Sequence, residues 1–420
     1  MSNFDSLELT STILSAIKEK GYKTPTPIQS QAIPIILQGR DLLGVAQTGT
    51  GKTAAFSLPI LDFLQKNQKK PVKGKARVLI LTPTRELATQ IDDNIKEYSS
   101  NSKIRTKVIF GGVSHRPQVL AISKGLDIIV ATPGRLLELI NDGYVTFDYL
   151  DILVLDEADR MLDMGFIRDI KKIMANLPEK KQTLLFSATM PKEIAGLASG
   201  ILNDPVRVEV TPQSTTVDKI KQSIHTVPKT HKPLLLKTLL KNKTLKSVLV
   251  FTRTKHGANR VVKHLENANI PSAAIHGNKS QRARETSLNN FRQEKIRVLV
   301  ATDIAARGID VDHVGHVINY DLPNDPENYV HRIGRTGRAG REGVALSFCD
   351  ESELSYLKSI EKLIKIKIPK EEKIKLDLTQ LNSNQKQRPH NSTQGKRPQQ
   401  GKRPQQGKKS ARRRRPQMRK

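Results

Sequence analysis

The sequence predicts an α/β fold with two tandem domains, each a doubly wound parallel sheet. Short aliphatic runs alternate with helical patterns from Asp41 to about Val210, and a second series of the same kind starts at about Val217. Continuous apolar runs are typical of strands buried on both faces, and strand–helix alternation implies right-handed crossovers between parallel strands. The length of 420 residues also favours two domains with additional segments over a single domain.

The predicted first domain covers residues 31–210 and follows an N-terminal segment, residues 1–30. Its strands are expected in the runs LLGVA, RVLILT, DIIVA, DILVLD and QTLLFS. A polar, Pro-containing linker at residues 211–217 is expected to be a hinge. The predicted second domain, residues 218–380, has strands in SVLVFT, IRVLVAT and GHVINYDL.

Residues 381–420 are expected to form a disordered basic tail. They contain fourteen Lys or Arg residues, no Asp or Glu, and the hexapeptide QGKRPQ twice. Such a composition lacks the apolar periodicity that a packed core requires. The formal net charge of the whole chain is +30. A polyanion partner is the first hypothesis, because cationic side chains that neutralise phosphates release condensed counterions.

Composition also argues against several other classes of protein. No stretch approaches 18 uninterrupted apolar residues, and Met1–Thr10 lacks the basic region and cleavage pattern of a secretory leader. Cys349 is the only cysteine, so we expect no disulfide partner and no cysteine-based zinc site. We therefore expect a cytoplasmic protein in a reducing setting, without a membrane span.

A phosphate-binding loop is predicted between Leu42–Val45, which reads as a strand, and the helix that opens after Thr53. The connecting sequence AQTGTGKT consists of Ala46, Gln47, Thr48, Gly49, Thr50, Gly51, Lys52 and Thr53. The glycines let backbone N–H groups cradle phosphate at a helix N-terminus, while the lysine supplies a point charge and the final threonine a hydroxyl for Mg²⁺. The general pattern begins with Gly and this one with Ala46, so a plain Gly-rich turn is the alternative.

An acidic cluster, Asp156, Glu157, Ala158 and Asp159, follows the apolar run Ile152–Leu155. Carboxylates at a helix start are often only solvated and favoured by the helix dipole. In a chain with a phosphate loop, the better interpretation is that the two adjacent carboxylates have separate catalytic roles. Asp156 would hold Mg²⁺ and Glu157 would orient the attacking water, so the predicted catalytic set is Lys52, Asp156 and Glu157, with Thr53 and Asp156 as the metal site.

Asp156–Asp159 reads D-E-A-D, and the sequence resembles the DEAD-box RNA helicases over about residues 4–365, most closely the bacterial RhlE-type branch. The resemblance implies two RecA-like domains that use ATP and Mg²⁺. It also identifies residues 1–30 as the adenine-recognition segment, through GYKTPTPIQ at Gly21–Gln29. Gln29 would then bond the adenine edge, Phe4 would stack on the base and Tyr22 would belong to the ATP site. For Phe4, a hydrophobic staple on the first helix is the alternative.

Further motifs of the family occur in order. SAT, which is Ser187, Ala188 and Thr189, matches the motif that couples nucleotide state to domain closure, and Asp159 and His331 belong to the same coupling set. In HRIGRTGR, residues 331–338, the resemblance implies that Arg335 and Arg338 reach the γ-phosphate across the cleft. Asp303 would bind the ribose hydroxyls. A solvated basic face is the alternative for the arginines, and a plain turn for SAT.

By the same resemblance, hydroxyls, glycines and arginines from both domains form an RNA track. The first domain contributes Pro83, Thr84, Arg85, Gly112, Thr132, Pro133, Gly134 and Arg135, and the second contributes Arg253, Gly277, Thr302 and Gly308. These residue types suit a sugar-phosphate backbone, and the lack of aromatic platforms predicts little base preference. The choice of RNA over DNA comes from the family.

The resemblance therefore implies an RNA-stimulated ATPase that binds single-stranded RNA across two domains and locally unwinds or remodels duplexes or RNA–protein complexes. Ribosomal particles and RNA-decay machinery are partners seen in the family. Two alternative functions are an RNA clamp or chaperone with a vestigial ATPase, and a DNA translocase built from the same paired domains. The intact Lys52, Glu157 and Arg335 disfavour the first, and the D-E-A-D wording disfavours the second.

Overall fold

The structure is a computed structural model that describes residues 3–47, 49–210, 220–306, 314–337, 343–371 and 374. The predicted linker at residues 211–217 and the predicted tail at residues 381–420 lie outside these ranges, as do Thr48, Gly308 and Arg338. Short 3-10 helices occur at Phe4–Leu7, Lys229–His231 and Glu351–Glu353.

The first domain is a parallel sheet with helices on both faces. Its elements are α1 (Ser11–Glu19), α2 (Pro27–Leu37), β1 (Leu42–Val45), α3 (Lys52–Lys66), β2 (Val78–Leu81), α4 (Arg85–Tyr98), β3 (Thr106–Ile109), α5 (Arg116–Ile122), β4 (Ile128–Ala131), α6 (Pro133–Asn141), β5 (Ile152–Leu155), α7 (Ala158–Asp163), α8 (Ile167–Met174), β6 (Gln182–Ser187), α9 (Lys192–Ile201) and β7 (Val206–Glu209). The strand order is β3-β4-β2-β5-β6-β1-β7, and every pairing is parallel.

The second domain repeats this plan. Its elements are β8 (Ile220–Thr226), α10 (Lys232–Leu240), β9 (Val248–Phe251), α11 (Lys255–Glu266), β10 (Ser272–Ile275), α12 (Gln281–Arg292), β11 (Val298–Ala301), α13 (Asp303–Ala306), β12 (His316–Asn319), α14 (Pro326–Ile333), β13 (Gly343–Cys349) and α15 (Leu354–Ile364). The order is β10-β11-β9-β12-β13-β8, again with parallel pairs throughout.

Burial on both faces explains why central strands such as β2 and β5 are aliphatic at every position. Along β2, Val78 and Ile80 pack into the core on one face of the sheet, whereas Leu79 and Leu81 pack into the core on the other face. Successive side chains of a strand point to opposite faces, so a strand covered on both sides needs apolar residues throughout. The prediction of two parallel-sheet α/β domains is confirmed. The two sheets lie within the predicted domain limits, although the limits themselves stay predictions.

Candidate nucleotide and RNA site

The predicted phosphate loop lies at the carboxyl edge of the first sheet, between β1 and α3, where ligands of open α/β sheets bind. Gly51 is the N-cap of α3 with φ 93°, a left-handed conformation that favours glycine. Lys52 is buried and its Nζ donates to the Ala46 carbonyl at 2.8 Å, and Thr50 Oγ1 donates to the Gln47 carbonyl at 2.8 Å. Gly49 also has positive φ, and Thr53 follows Lys52 in the first turn of α3.

Gln29 connects the adenine-recognition segment to this loop. Its Oε1 accepts from the Thr26 N–H at 2.9 Å in a capping box that begins α2, and its Nε2 donates to the Gly51 carbonyl at 3.2 Å. A Cβ at Gly51 would lie 2.5 Å from Nε2 of Gln29, so only glycine allows this approach. The side chain that the sequence assigns to adenine is therefore also a support of the phosphate loop.

Phe4 and Tyr22 lie together near α4. Phe4 is buried in the core of the first domain, and its ring stacks on that of Tyr22 with centroids 6.5 Å apart. Tyr22 is 38% exposed, and its hydroxyl lies 3.3 Å from that of Tyr98. Tyr22 thus presents the more accessible ring of the two, and base stacking by Phe4 stays a prediction.

The acidic cluster lies at the end of β5, with β6 between β5 and β1. Asp156 is buried, and its Oδ1 has no hydrogen-bond partner in the described part of the chain. Burial raises the pKa of this carboxyl to about 7, although the charge of Lys52 opposes the rise. Lys52 of the loop therefore acts electrostatically on the acid at the end of β5.

Glu157 is held in an uncommon way. Its φ of 54° puts a non-glycine residue in the left-handed region, where the strain is about 1–3 kcal/mol and marks functional sites. Its Oε2 accepts from Arg160 Nη1 at 2.6 Å, and both side chains are about 5% exposed. Burial alone would raise the pKa of Glu157, but the charges of Arg160, Lys52 and Arg335 lower it below its usual value. Arg160 was not predicted from the sequence, and Arg335 comes from the second domain.

The predicted coupling motif makes direct contact with the acidic cluster. Oδ2 of Asp159 accepts from the Ala188 N–H at 3.1 Å and from the N–H and hydroxyl of Thr189 at 2.9 and 3.1 Å. Ser187 Oγ accepts from the Asp159 N–H at 3.2 Å and donates to the Thr189 carbonyl at 2.7 Å. Asp159 thus connects the end of β5 to the end of β6.

In the second domain, Asp303 pairs with a fully buried arginine that was not among the predicted site residues. Arg332 donates through Nε to Oδ1 of Asp303 at 2.5 Å and through Nη2 to Oδ2 at 2.8 Å. Asp303, His331 and Arg335 line one small cavity. Arg335 is itself buried. The position of Arg332 within the motif HRIGRTGR is the only signal that could have identified it.

Arg85 follows Pro83 and Thr84 and lies close to two other predicted RNA residues of the first domain, Gly112 and Arg135. Thr84 is the N-cap of α4, and Thr132, Pro133 and Gly134 begin α6, so the polar groups of two helix starts face the same edge. Arg85 lies against Gly112, where a Cβ would approach its Nη1 to 2.3 Å. Burial lowers the pKa of Arg85 and the charges of Arg284 and Arg135 lower it further, although the charge of Glu86 opposes the fall. Three arginines are therefore close together, which suits a phosphate backbone.

Arg284 belongs to the second domain, and it forms an ion pair with the first. Its Nη2 lies 3.0 Å from Oε2 of Glu86, and Gln281 Nε2 lies 3.4 Å from Oε1 of the same carboxylate. Both charged side chains are nearly buried. Glu86 was not assigned a role from the sequence, because nothing local indicates that its partner lies 198 residues away.

The remaining predicted RNA residues lie after strands of the second sheet. Thr302 follows β11, and the exposed Gly277 follows β10. Arg253, after β9, is tied to Glu353 within its own domain. No helix in the described ranges is both long enough and apolar enough to cross a membrane.

Comparison with known proteins agrees with this geometry. The DEAD/DEAH box helicase family matches residues 26–197, and the helicase conserved C-terminal domain matches residues 231–340. The ATP-dependent RNA helicase CshA of Limosilactobacillus reuteri is 41% identical over 365 residues, 87% of this chain and 72% of that protein. The DEAD-box ATP-dependent RNA helicase RhpA of Helicobacter pylori is 42% identical over 362 residues, 86% of this chain and 72% of that protein.

The fold is similar to solved helicase structures as well. S. cerevisiae Dbp5 bound to RNA and ADP BeF3 superposes with a TM-score of 0.78 at 33% identity, covering 88% of this chain and 96% of that one. The expected RecA-like class is thereby confirmed. Taken with the phosphate loop, the acidic cluster and the matched relatives, this likeness shows that the chain belongs to the family of DEAD-box ATP-dependent RNA helicases, which are ATP-hydrolysing enzymes.

Proposed function

We propose that the two domains close on ATP and single-stranded RNA, and that closure completes the hydrolytic site and locally unwinds the RNA. The observation that carries this proposal is that both functional surfaces combine residues from the two domains. In the nucleotide site, the charge of Arg335 from the second domain lowers the pKa of Glu157 in the first domain. In the RNA site, Arg284 of the second domain forms an ion pair with Glu86 of the first domain. ATP and RNA each favour the closed state, so their binding is positively coupled.

In the nucleotide site, the backbone N–H groups of the loop at residues 46–53 and Lys52 bind the phosphates. Gln29 recognises the adenine edge, Phe4 and Tyr22 provide the aromatic contact, and Asp303 takes the ribose. Lys52 donates to the Ala46 carbonyl, so phosphate would replace a weaker neutral acceptor by a charged one.

Asp156 and Thr53 suit Mg²⁺. The unpartnered, buried Oδ1 of Asp156 is the kind of hard oxygen ligand that this ion prefers. The described residues hold no group of three or more His, Cys, Asp or Glu that could by itself bind a metal. That is ordinary for Mg²⁺, which is commonly held by one or two carboxylates together with substrate phosphates. When bound, the ion would neutralise charge on the β- and γ-phosphates.

For hydrolysis, Glu157 orients the attacking water and accepts its proton, and Arg335 and Arg338 stabilise the charge that develops on the γ-phosphate. A guanidinium suits this role because its planar fork stays charged and binds phosphate oxygens bidentately. Ser187, Ala188, Thr189 and His331 transmit the nucleotide state to closure, through the contacts of Asp159 with the SAT backbone.

For RNA, the cluster of Arg85, Arg135 and Arg284 binds the sugar-phosphate backbone with little base preference. The remaining predicted residues extend the track along the two sheet edges. The converging guanidinium charges support this, since phosphate would relieve their mutual repulsion.

At a finer level, we propose membership of the RhlE-type branch, a cytoplasmic location, and partners among ribosomal particles or the RNA-decay machinery. This proposal is supported by the sequences of the motifs and by the short basic tail at residues 381–420. The tail would bind RNA through its positive charge.

The test is ATP turnover by the full chain with single-stranded RNA, with single-stranded DNA of the same sequence, and with neither. We expect strong stimulation by RNA and little by DNA. Equal stimulation by both would contradict RNA selectivity, and turnover that is independent of any strand would contradict coupled closure.

A further inference from the structure

A buried cluster of charges lies in the second domain around Lys232 and Glu353. Lys232 is 0% exposed and Glu353 is 1% exposed. Lys232 Nζ lies 2.5 Å from Glu353, 3.2 Å from Asp350 and 3.7 Å from Asp321. Arg253 joins the cluster through its Nη2, which contacts Oε1 of Glu353. Two cations thus face three carboxylates, and buried ions persist only when they are paired in this way.

Glu353 is fixed independently of Arg253. Its Oε2 accepts from Lys232 and, in a capping box, from the Asp350 N–H at 3.3 Å. Its Oε1 also accepts from the Leu322 N–H at 3.1 Å. A carboxylate with three donors other than Arg253 has little freedom to move, so it is a rigid support for that guanidinium.

Arg253, by contrast, is only partly covered. Its Nε donates to the Leu322 carbonyl at 3.3 Å and its guanidinium lies 5.2 Å from the centroid of the Tyr356 ring, yet 35% of the side chain is exposed. Its Nη1 has no partner within the described ranges. One edge of the guanidinium is therefore held by the domain, while the other edge is open to a ligand.

We propose that Glu353, supported by Lys232, is a positioning residue for RNA binding: it holds Arg253 with its open edge toward an RNA phosphate. This inference rests on the proposed contact between Arg253 and RNA. Fixing a long side chain before binding removes the entropy that a free side chain would lose on binding. Loss of this support should weaken RNA binding about three- to tenfold.

The test is the substitution Glu353→Gln, which keeps the shape of the side chain but removes its charge. We expect the RNA concentration for half-maximal ATPase stimulation to rise about three- to tenfold. Turnover at saturating RNA should stay near that of the unchanged chain, because Arg253 does not line the cavity of Asp303, His331 and Arg335. Glu351→Gln is the matched control: it removes the same charge from an exposed position on the same short helix and should leave the RNA requirement unchanged.

A double-mutant cycle with Arg253→Ala separates positioning from a general loss of structure. In the Arg253→Ala background, Glu353→Gln should produce no further change in the half-maximal RNA concentration. An equal shift in both backgrounds would overturn the proposal, and so would tighter RNA binding by Glu353→Gln, since that result would make Glu353 a competitor of RNA. If Arg253→Ala does not change the half-maximal RNA concentration, the RNA contact of Arg253 is wrong and this inference falls with it. The proposed function is tested separately, by whether RNA stimulates ATP turnover.

Should Glu353→Gln fail to fold, Tyr356→Leu provides a second route. It removes the ring beneath the guanidinium without altering the buried charges, and a cation–π contact of this kind is worth about a two- to fivefold change in affinity. The RNA requirement should rise by that factor, and only when Arg253 is present. No rise with Tyr356→Leu would overturn the proposal.

Discussion

Replacing Glu86 by Gln should selectively uncouple ATP binding from RNA binding. The substitution keeps the shape of the side chain and removes the negative charge that faces Arg284 of the second domain at 3.0 Å. In separated domains this ion pair does not exist. Its free energy therefore contributes to the closed state alone, which is the state that both ligands favour.

The size of the effect follows from burial and geometry. Exposed ion pairs contribute about 0–1 kcal/mol, whereas removing one partner of a fully buried pair costs about 3–5 kcal/mol. Arg284 and Glu86 are 11% and 5% exposed, but Oε2 of Glu86 has no aligned hydrogen-bond partner in the described ranges, so the contact is a charge pair only. An intermediate value of about 1.5 kcal/mol corresponds to about a tenfold change in the closure equilibrium.

The assay is the dissociation constant of a labelled single-stranded RNA, measured with and without a non-hydrolysable ATP analogue. For Glu86→Gln, the gain in RNA affinity that the analogue produces should fall about tenfold. RNA affinity without nucleotide should not fall, because the substitution leaves Arg85 and Arg284 in place and removes only a neighbouring negative charge. Glu97→Gln is the control, because Glu97 lies on the same helix and pairs with Lys20 within the first domain. An equal loss of RNA affinity with and without the analogue would refute the reasoning, since Glu86 would then act in the RNA site and not in closure.

Three further predictions concern catalysis and the tail. Glu157→Gln should lose turnover yet accumulate a complex with RNA and ATP, seen by gel shift beside an ATPase assay; wild-type turnover would exclude its assigned role. Arg335→Ala should abolish hydrolysis while reducing ATP binding far less, whereas Arg341→Ala, just outside the motif, should keep turnover; comparable losses would favour a solvated basic face. Truncation before Leu381 should leave maximal turnover unchanged and, if five phosphate contacts are lost, flatten the plot of log affinity against log salt by about three to four units. Identical slopes for the full and truncated chains would exclude RNA binding by the tail.

The sequence predicted the parts of the fold and site that depend on local pattern. β2 and β5 were found because each is aliphatic at every position, and the loop before Lys52 was found because its glycines follow a strand. Five strands, β3, β7, β8, β10 and β13, were not among the predicted runs, because each includes polar or only partly buried positions. Local pattern also cannot show long-range pairing. Glu86 with Arg284, Asp303 with Arg332 and Gln29 with the Gly51 carbonyl are contacts that only the fold creates.

The two cations around Glu157 account for how hydrolysis can depend on closure. Arg160 lies one turn along α7 and contacts Glu157 at 2.6 Å within the first domain, so this pair does not need the second domain. Arg335 arrives only with the second domain, and its charge also acts on Glu157. Because the charge of Arg335 lowers the pKa of Glu157 further, closure adds a second favourable cation to this carboxylate. We infer that hydrolysis is conditional on closure, because the full set of charges around Glu157 exists only when the two domains are together.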